Sequence, residues 1–287
     1  MPRSAPVEGF ALAYDRPWPG AGAPGLLLHG WPGDRHDWRS VVTALDGRVD
    51  VLVPDLRGFG ESDKHAEDPS TAYDAAAQTR SLIGLLDELG LGPAIVAGYD
   101  VGSRVAQRLA ADAPHRVRAL VLAPPLPGAG ERVLEADAQR EFWYQPFHRL
   151  ELPDALLDGR PDAVRAYLRH FWSHWSGPSF APDDGELDRL AGLYGAPGAL
   201  LASIAWYRAG SGTVASSLVE RPPAPDARLR TPTTVLWPEH DPLFPRAWSD
   251  RLDEFLADLT LEWLDGAGHF SPLEAPDRFA QAIVRRT

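Results

Sequence analysis

The sequence predicts an α/β fold with a mostly parallel sheet, helices on both faces of that sheet, and one helical insert. Short, nearly continuous apolar runs alternate with amphipathic stretches, which is typical of buried parallel strands joined by helices. The alternation breaks at the proline-rich segment 124–127 and resumes after a second one, 222–225. We therefore predict a core domain built from residues 1–124 and 223–287, with a helical cap over residues 125–222.

The core elements follow from apolar periodicity and from residues that end helices. The predicted strands are Gly25–His29, Val49–Pro54, Ala94–Tyr99, Val117–Ala123, Thr233–Trp237 and Leu259–Leu264. Gly90 and Pro114 end two of the helices. The predicted core helices are Trp38–Leu45, Thr71–Leu89, Gly102–Ala113, and two near Arg246–Ala257 and Ala275–Arg286. The insert has helical patterns, no convincing strand, and many Trp and Tyr residues.

Composition excludes several classes of function. The 287-residue chain carries 28 Lys and Arg against 40 Asp and Glu, a net charge of −12, and has no basic tract. This argues against a nucleic-acid or anionic-membrane partner, since both need positive charge. The absence of cysteine excludes disulfides and thiolate chemistry. The N-terminal residues lack the apolar core of a signal peptide, and no run is long enough to span a bilayer, so we expect a cytoplasmic protein.

The loop Gly98–Ser103 is the strongest candidate for a catalytic element. It lies between a predicted strand and a predicted helix, and small residues flank Asp100 two positions away on each side. Such spacing permits the tight turn of a nucleophile elbow, which lifts one side chain above the sheet. A carboxylate at a helix N-terminus is kept ionised by the helix dipole, although an aspartate there is also a common helix cap.

Two later loops turn this candidate into a constellation. Asp241 follows the strand that ends at Trp237, and His269 follows the next strand within Gly266–Phe270. Each feature alone is usually structural. Nucleophile, acid and histidine in this chain order, each after a strand, are the arrangement that α/β-hydrolases use.

A fourth loop, His29–Gly33, follows an apolar strand and completes the predicted site. A backbone N–H of Trp31 and that of Val101 can together form an oxyanion hole. The peptide bond before Pro32 is a candidate for the cis form.

These four loops, together with Pro54–Ser62, resemble the α/β-hydrolase superfamily over residues 9–123 and 231–287. Aspartate at the elbow narrows the resemblance to the branch that holds epoxide hydrolases and dehalogenases. The resemblance implies that Asp100 attacks a saturated carbon to form an ester. It also implies that His269, oriented by Asp241, activates the water that hydrolyses that ester.

Epoxide opening and dehalogenation differ in the group that leaves. In the insert, Tyr144 and Tyr207 resemble the cap tyrosines that protonate an epoxide oxygen in epoxide hydrolases. Haloalkane dehalogenases usually carry tryptophan where this chain has Val101, and fluoroacetate dehalogenases carry two arginines, of which only Arg104 is present. We therefore favour an epoxide hydrolase, with a dehalogenase as the alternative and a non-catalytic ligand-binding protein as the alternative of another class.

The predicted substrate is a small molecule, namely a bulky or aromatic apolar epoxide such as a natural product of secondary metabolism. Large apolar side chains are expected to bind it. They are Trp31, Trp143, Trp172, Trp175, Trp206 and Phe270. No metal or organic cofactor is expected, although His170 and His174 have the spacing of a helical zinc pair. Whether the chain forms a homo-oligomer is left open.

Overall fold

A seven-stranded sheet lies at the centre of the structure, a computed structural model that describes residues 2–287. The spatial order is β1-β3-β2-β4-β5-β6-β7, with β1 antiparallel to β3 and every other pair parallel. The strands are β1 Tyr14–Asp15, β2 Pro24–Leu28, β3 Asp50–Pro54, β4 Ala94–Gly98, β5 Val117–Leu122, β6 Thr233–Pro238 and β7 Leu259–Leu264. The predicted fold class is confirmed.

All six predicted strands are present, and their ends differ from the predicted ones by one residue at most. They were recognisable because β2 to β6 are buried on both faces and are therefore apolar almost throughout. Strand β1 was missed because its two residues are too few to show any periodicity.

Thirteen α-helices occur among residues 2–287. They are α1 Arg39–Leu45, α2 Pro69–Ala72, α3 Ala75–Glu88, α4 Val101–Asp112, α5 Ala136–Glu141, α6 Tyr144–His148, α7 Leu152–Leu157, α8 Pro161–His174, α9 Asp184–Tyr194, α10 Ala199–Arg208, α11 Thr213–Val219, α12 Ser271–Glu274 and α13 Pro276–Val284. The predicted helix Thr71–Leu89 is in fact two, because Asp74 leaves the helical conformation and caps α3 by accepting a hydrogen bond from the Ala77 N–H. Residues Arg246–Glu254 form a 3₁₀ helix, a distinction that apolar spacing alone does not make.

Seven helices, α5 to α11, stand between β5 and β6 in the chain, and no strand of the described residues interrupts them. Buried apolar side chains run without a break from the sheet into these helices. The helical insert and the sheet therefore share one continuous hydrophobic core. The domain limits at residues 124 and 223 stay a prediction.

No single helix within residues 2–287 is long and apolar enough to cross a membrane. One bent pair, Asp184–Tyr194 with Ala199–Val219 at 85°, passes the same test by length and composition alone.

Candidate active site

Asp100 lies at the sharp turn between β4 and α4. Its φ of 48° and ψ of −123° place it in a sparsely populated region for a residue with a side chain, at a cost of about 1–3 kcal/mol. The turn can be this tight only because both flanking residues are glycine. A Cβ on Gly98 would collide with the backbone of Gly102, and a Cβ on Gly102 would collide with the carbonyl of Leu28. The predicted elbow geometry is confirmed, and it holds the Asp100 carboxylate above the sheet with 8% of the side chain exposed.

His269 stands between two carboxylates. Its Nδ1 lies 2.8 Å from Asp241 Oδ2, and its Nε2 lies 3.4 Å from Asp100 Oδ2. The second oxygen of Asp241 accepts a hydrogen bond from the Leu243 N–H at 2.9 Å, which fixes the carboxylate. The structure thus brings together three residues that are separated along the chain and that each follow a parallel strand.

The protonation of His269 depends on these neighbours. Burial lowers the pKa of His269, but the charges of Asp241 and Asp100 and their hydrogen bonds outweigh burial and raise this pKa to about 10. The His269 imidazole is therefore an imidazolium at neutral pH. Loss of the charge on Asp100 removes part of that stabilisation.

The loop after β2 presents a backbone donor to the nucleophile. The Trp31 N–H donates a hydrogen bond to Asp100 Oδ1 at 2.7 Å, and the Trp31–Pro32 bond is cis, as predicted. The His29 ring anchors the loop, because its Nε2 accepts from the Leu56 N–H at 3.0 Å. Val101 is the first residue of α4, where the helix offers its N–H no acceptor. Both predicted oxyanion donors therefore border Asp100.

Two phenols from the insert lie over this centre. Tyr144 begins α6 and Tyr207 lies near the end of α10, with ring centroids 5.6 Å apart. Burial raises the pKa of both well above the usual value; Asp100 adds to the effect at Tyr144, and Tyr144 and Asp100 add to it at Tyr207. Gln145 donates its amide N–H to the Tyr144 hydroxyl at 3.1 Å. Both phenols are consequently neutral and able to donate a proton.

The predicted wall residues divide into two groups. Trp31 and Trp175 face Tyr144 at 5.7 and 5.1 Å between ring centroids, and Trp175 is also 5.0 Å from His269. Trp172 stacks on Phe270 at 4.1 Å.

Trp143 and Trp206 are placed differently. Trp143 is 39% exposed and stacks on Phe171 at 5.9 Å between ring centroids. Trp206 has no ring contact with Trp31 or Tyr144 among the described residues. Each precedes a predicted phenol by one position, and consecutive side chains diverge by about 100° around a helix. Tyr144 and Tyr207 face each other, so the tryptophan before each points in another direction, and Trp206 is nevertheless buried, at 3% exposed.

Sequence reasoning gave no role to His148, which the structure places among the phenols. Its ring lies 4.7 Å from both Trp31 and Tyr207, and its Nε2 lies 2.8 Å from the Tyr167 hydroxyl. Burial, followed by the charge of Arg208, lowers the pKa of His148 well below its usual value, so the ring is neutral. The spacing of four residues from Tyr144 was the available signal for a shared helix face.

Glu274 was also missed, and it joins the insert to the histidine loop. One carboxylate oxygen accepts from the Gly177 N–H at 2.8 Å and the Gly268 N–H at 2.7 Å, and the other accepts from the Phe270 N–H at 3.1 Å. The His269 N–H donates to the Trp175 carbonyl at 2.8 Å. The backbone around His269 is therefore fixed partly by the insert.

Two groups of side chains could be considered as metal ligands: a histidine pair on α8 and a cluster of three acids. His170 and His174 stack at 5.7 Å, and His174 lies 2.6 Å from Glu141. Within residues 2–287, three candidate ligands gather only at Asp34, Asp37 and Glu186. The guanidinium of Arg189 already provides the counter-charge there, with hydrogen bonds to Asp34 at 2.7 and 2.9 Å.

Comparison with known proteins agrees with this geometry. The family described as alpha/beta hydrolase fold matches residues 26–276, and the chain belongs to that family. A soluble epoxide hydrolase from Corynebacterium sp. (strain C12) is 28% identical over 95% of this chain and 92% of its own length. A fluoroacetate dehalogenase from Burkholderia sp. is 29% identical over 68% of this chain and 64% of its own.

Structural comparison points the same way. A solved epoxide hydrolase structure from metagenomes of hot environments is 26% identical, with a TM-score of 0.81, and the match covers 99% of this chain and 97% of that one. The resemblance to the branch of epoxide hydrolases and dehalogenases is therefore confirmed, and the relatives support a hydrolase.

Proposed function

We propose that the protein opens an epoxide to a vicinal diol through a covalent ester on Asp100. The observation that carries this proposal is the pair of neutral, buried phenols that stands over the nucleophile. An epoxide oxygen needs a proton as its carbon–oxygen bond breaks, and Tyr144 and Tyr207 are suited to supply it. The similarity to epoxide hydrolases supports the same reaction.

The first half-reaction forms the ester. An oxygen of Asp100 attacks one epoxide carbon, the bond from that carbon to the ring oxygen breaks, and the ring oxygen takes a proton from a tyrosine hydroxyl. The carboxylate loses its charge in this step. Because that charge helps to raise the pKa of His269, the imidazolium becomes more acidic and can return a proton to the tyrosine oxygen.

The second half-reaction hydrolyses the ester. Neutral His269 removes a proton from water, the resulting hydroxide adds to the ester carbonyl, and Asp241 stabilises the imidazolium that forms. The Trp31 and Val101 N–H groups stabilise the oxyanion, which collapses as the bond to the diol oxygen breaks. The leaving alkoxide takes a proton from the His269 imidazolium, and the Asp100 carboxylic acid returns its proton to His269, which restores the Asp100 carboxylate and the imidazolium. Loss of one such donor typically costs about 3–4 kcal/mol in the barrier.

Isotope transfer in a single turnover tests the ester directly. With enzyme in excess over styrene oxide in ¹⁸O-labelled water, the label should enter the Asp100 carboxylate and be absent from the first diol released. The Asp100→Asn variant should give no early turnover. Label that appears in the diol in the first turnover would mean that water attacks the epoxide directly, and the ester mechanism would be wrong.

Dehalogenation is the second candidate, and one observation favours it. The indole N–H groups of Trp31 and Trp175 are buried and have no acceptor among residues 2–287, and such donors can bind a halide. Against a haloacid substrate, Arg104 is engaged with Glu220 at 2.6 Å and is not free to bind a carboxylate. Release of chloride from chloroalkanes at a rate above the rate of diol formation from any epoxide would favour this candidate.

The substrate class is a further part of the proposal. Trp31 stacks on Tyr144, and Trp175 and Phe171 meet it in T-shaped geometry, so the surroundings of Tyr144 are aromatic and suit an apolar or aromatic body. Comparison of styrene oxide with a polar epoxide of similar size, glycidol, tests this preference. We expect a higher kcat/KM for styrene oxide.

A further inference from the structure

A cavity of about 190 Å³ lies beside Tyr207, and all of its lining residues belong to the helical insert. Most of its wall is apolar and comes from α6, α11 and the segment before α5. The apolar lining residues are Leu134, Pro146, Val214, Ala215 and Leu218. Because Tyr207 belongs both to this wall and to the phenol pair, a ligand in the cavity touches a residue of the proposed reaction site.

Gly212 keeps the space next to Tyr207 open. A Cβ at this position would lie 2.9 Å from Tyr207 Cδ1 and 2.8 Å from Gln145 Oε1, both too close for a real contact. Gln145 is itself fixed, because it accepts from the Val214 N–H at 3.0 Å and donates to the Tyr144 hydroxyl. The cavity is therefore bounded by groups with little freedom to fill it.

Arg149 is the one charged residue of the described lining. The two glutamines of the wall already have partners, since Gln139 donates to the Val133 carbonyl at 2.6 Å and Gln145 is held as above. The Arg149 guanidinium has no hydrogen-bond or ion-pair partner among residues 2–287, and the residue is exposed at the end of α6. A free guanidinium beside an apolar cavity is suited to a ligand that is apolar along its length and anionic at its end.

We propose that this cavity binds the non-reacting arm of the substrate and that Arg149 selects an arm ending in a carboxylate. This inference rests on the proposed function, because it names the substrate class for the same site. One guanidinium balances the single charge of a carboxylate and can bind both of its oxygens. A local cation matters in a chain of net charge −12, which otherwise repels anions.

Matched substrates and variants test the charge. The first substrate is the epoxy acid with an undecanoic acid chain and the epoxide at the end away from the carboxylate. It is compared with the methyl ester of the same epoxy acid in wild type, Arg149→Gln and Arg149→Lys. In Arg149→Gln we expect KM for the acid to rise about tenfold with kcat unchanged, as loss of one charge-assisted hydrogen bond predicts. KM for the ester stays the same, and Arg149→Lys, which keeps the charge but not the paired N–H donors, retains part of the preference. Added salt reduces the preference in wild type, since the arginine is exposed.

Two further variants separate charge from shape. Arg140 of the neighbouring α5 is 73% exposed and does not line the cavity. Arg140→Gln should therefore leave KM for both substrates at the wild-type value. Ala215→Phe fills the cavity and raises KM for both long substrates by a larger factor than it changes KM for propylene oxide, which is too short to reach the cavity. Equal KM values for acid and ester in wild type and Arg149→Gln would overturn the assignment.

Binding without reaction distinguishes this inference from the proposed function. Undecanoate, which carries no epoxide, is titrated calorimetrically into wild type and Arg149→Gln. Binding about tenfold weaker in the variant supports the cavity assignment even if no epoxide is turned over, in which case only the proposed function fails. Equal binding to both proteins, alongside normal epoxide turnover, overturns the assignment and leaves the function intact.

Discussion

At the scale of single residues, the chemistry depends on one histidine whose charge is set by two carboxylates. Asp241 lies 2.8 Å and Asp100 3.4 Å from the His269 ring. These three residues could be predicted because each follows a strand, and the carboxyl ends of parallel strands meet at one edge of a sheet. The protonation of His269 could not be predicted, since it depends on burial and on distances that only the folded chain fixes.

The stability of the protein should depend on pH through His269. Its pKa in the folded state, about 10, exceeds the ordinary value of 6.5, so the stabilisation is complete below pH about 6.5 and is lost as pH rises toward about 10. We expect the free energy of unfolding of wild type to exceed that of His269→Asn by most near pH 6, with the difference shrinking toward pH 10. Urea unfolding at a series of pH values measures it. A constant difference across this range would contradict the charge assignment.

Removal of a phenolic hydroxyl should slow ester formation. Tyr144→Phe and Tyr207→Phe each remove one proton donor and keep the ring packing, so we expect ester formation to slow on the order of 10²-fold in each, and further in the double variant. Stopped-flow tryptophan fluorescence follows this step. Tyr73→Phe is the control, because the Tyr73 hydroxyl binds the backbone of His65 in a separate buried cluster. Unchanged rates in the double variant would contradict the proposed proton donors.

At the scale of elements, the strands were predictable and the joints between elements were not. Strands β2 to β6 are apolar because both faces are buried, which is a signal that the sequence carries locally. The break between α2 and α3 occurs because the Asp74 side chain competes for a backbone N–H of α3. Glu274 of α12 binds Gly177, which is distant in the chain. Apolar periodicity reports burial, and it does not report which backbone groups a polar side chain will bind.

Glu274 should affect one half-reaction more than the other. Glu274→Gln keeps the size of the side chain but weakens the hydrogen bonds from Gly268 and Phe270, on either side of His269. We expect ester hydrolysis, which needs His269 as a base, to slow about tenfold, while ester formation on Asp100 stays within a factor of two. Pre-steady-state kinetics separate the steps. Glu254→Gln, an exposed ion-pair residue, is the control, and equal slowing of both half-reactions would mean that Glu274 has only a general structural role.

At the scale of the whole molecule, the insert completes the site. It supplies both phenols, the Trp175 ring and the backbone carbonyl that holds His269. The position of the insert between two strands was predictable from the proline-rich joints. Tyr144 and Tyr207 were correctly expected near Asp100. Which other rings would face inward depended on the helix ends and crossing angles, and for that reason Trp143 was expected inside and lies outside.

An ion pair joins the insert to the loop after β2, and its loss should destabilise the whole fold. Arg189 of α9 binds both oxygens of the buried Asp34. Arg189→Gln leaves that carboxylate with too few donors, so we expect the free energy of unfolding to fall by about 1–3 kcal/mol. Arg165→Gln, which removes an exposed ion pair between α8 and α9, should cost about 0–1 kcal/mol. Equal midpoints of thermal unfolding for the two variants would contradict this account.

The central claim is that Asp100 forms an ester with an epoxide carbon, and the most direct test is the intact mass of a variant that cannot hydrolyse that ester. His269→Asn is exposed to styrene oxide and, separately, to chloroacetate, with the Asp100→Asn/His269→Asn double variant as control. We predict that the single variant gains the mass of the whole epoxide and that the double variant gains nothing. A gain equal to chloroacetate minus hydrogen chloride, with none from the epoxide, would instead identify a dehalogenase. No gain from either reagent would contradict the covalent mechanism.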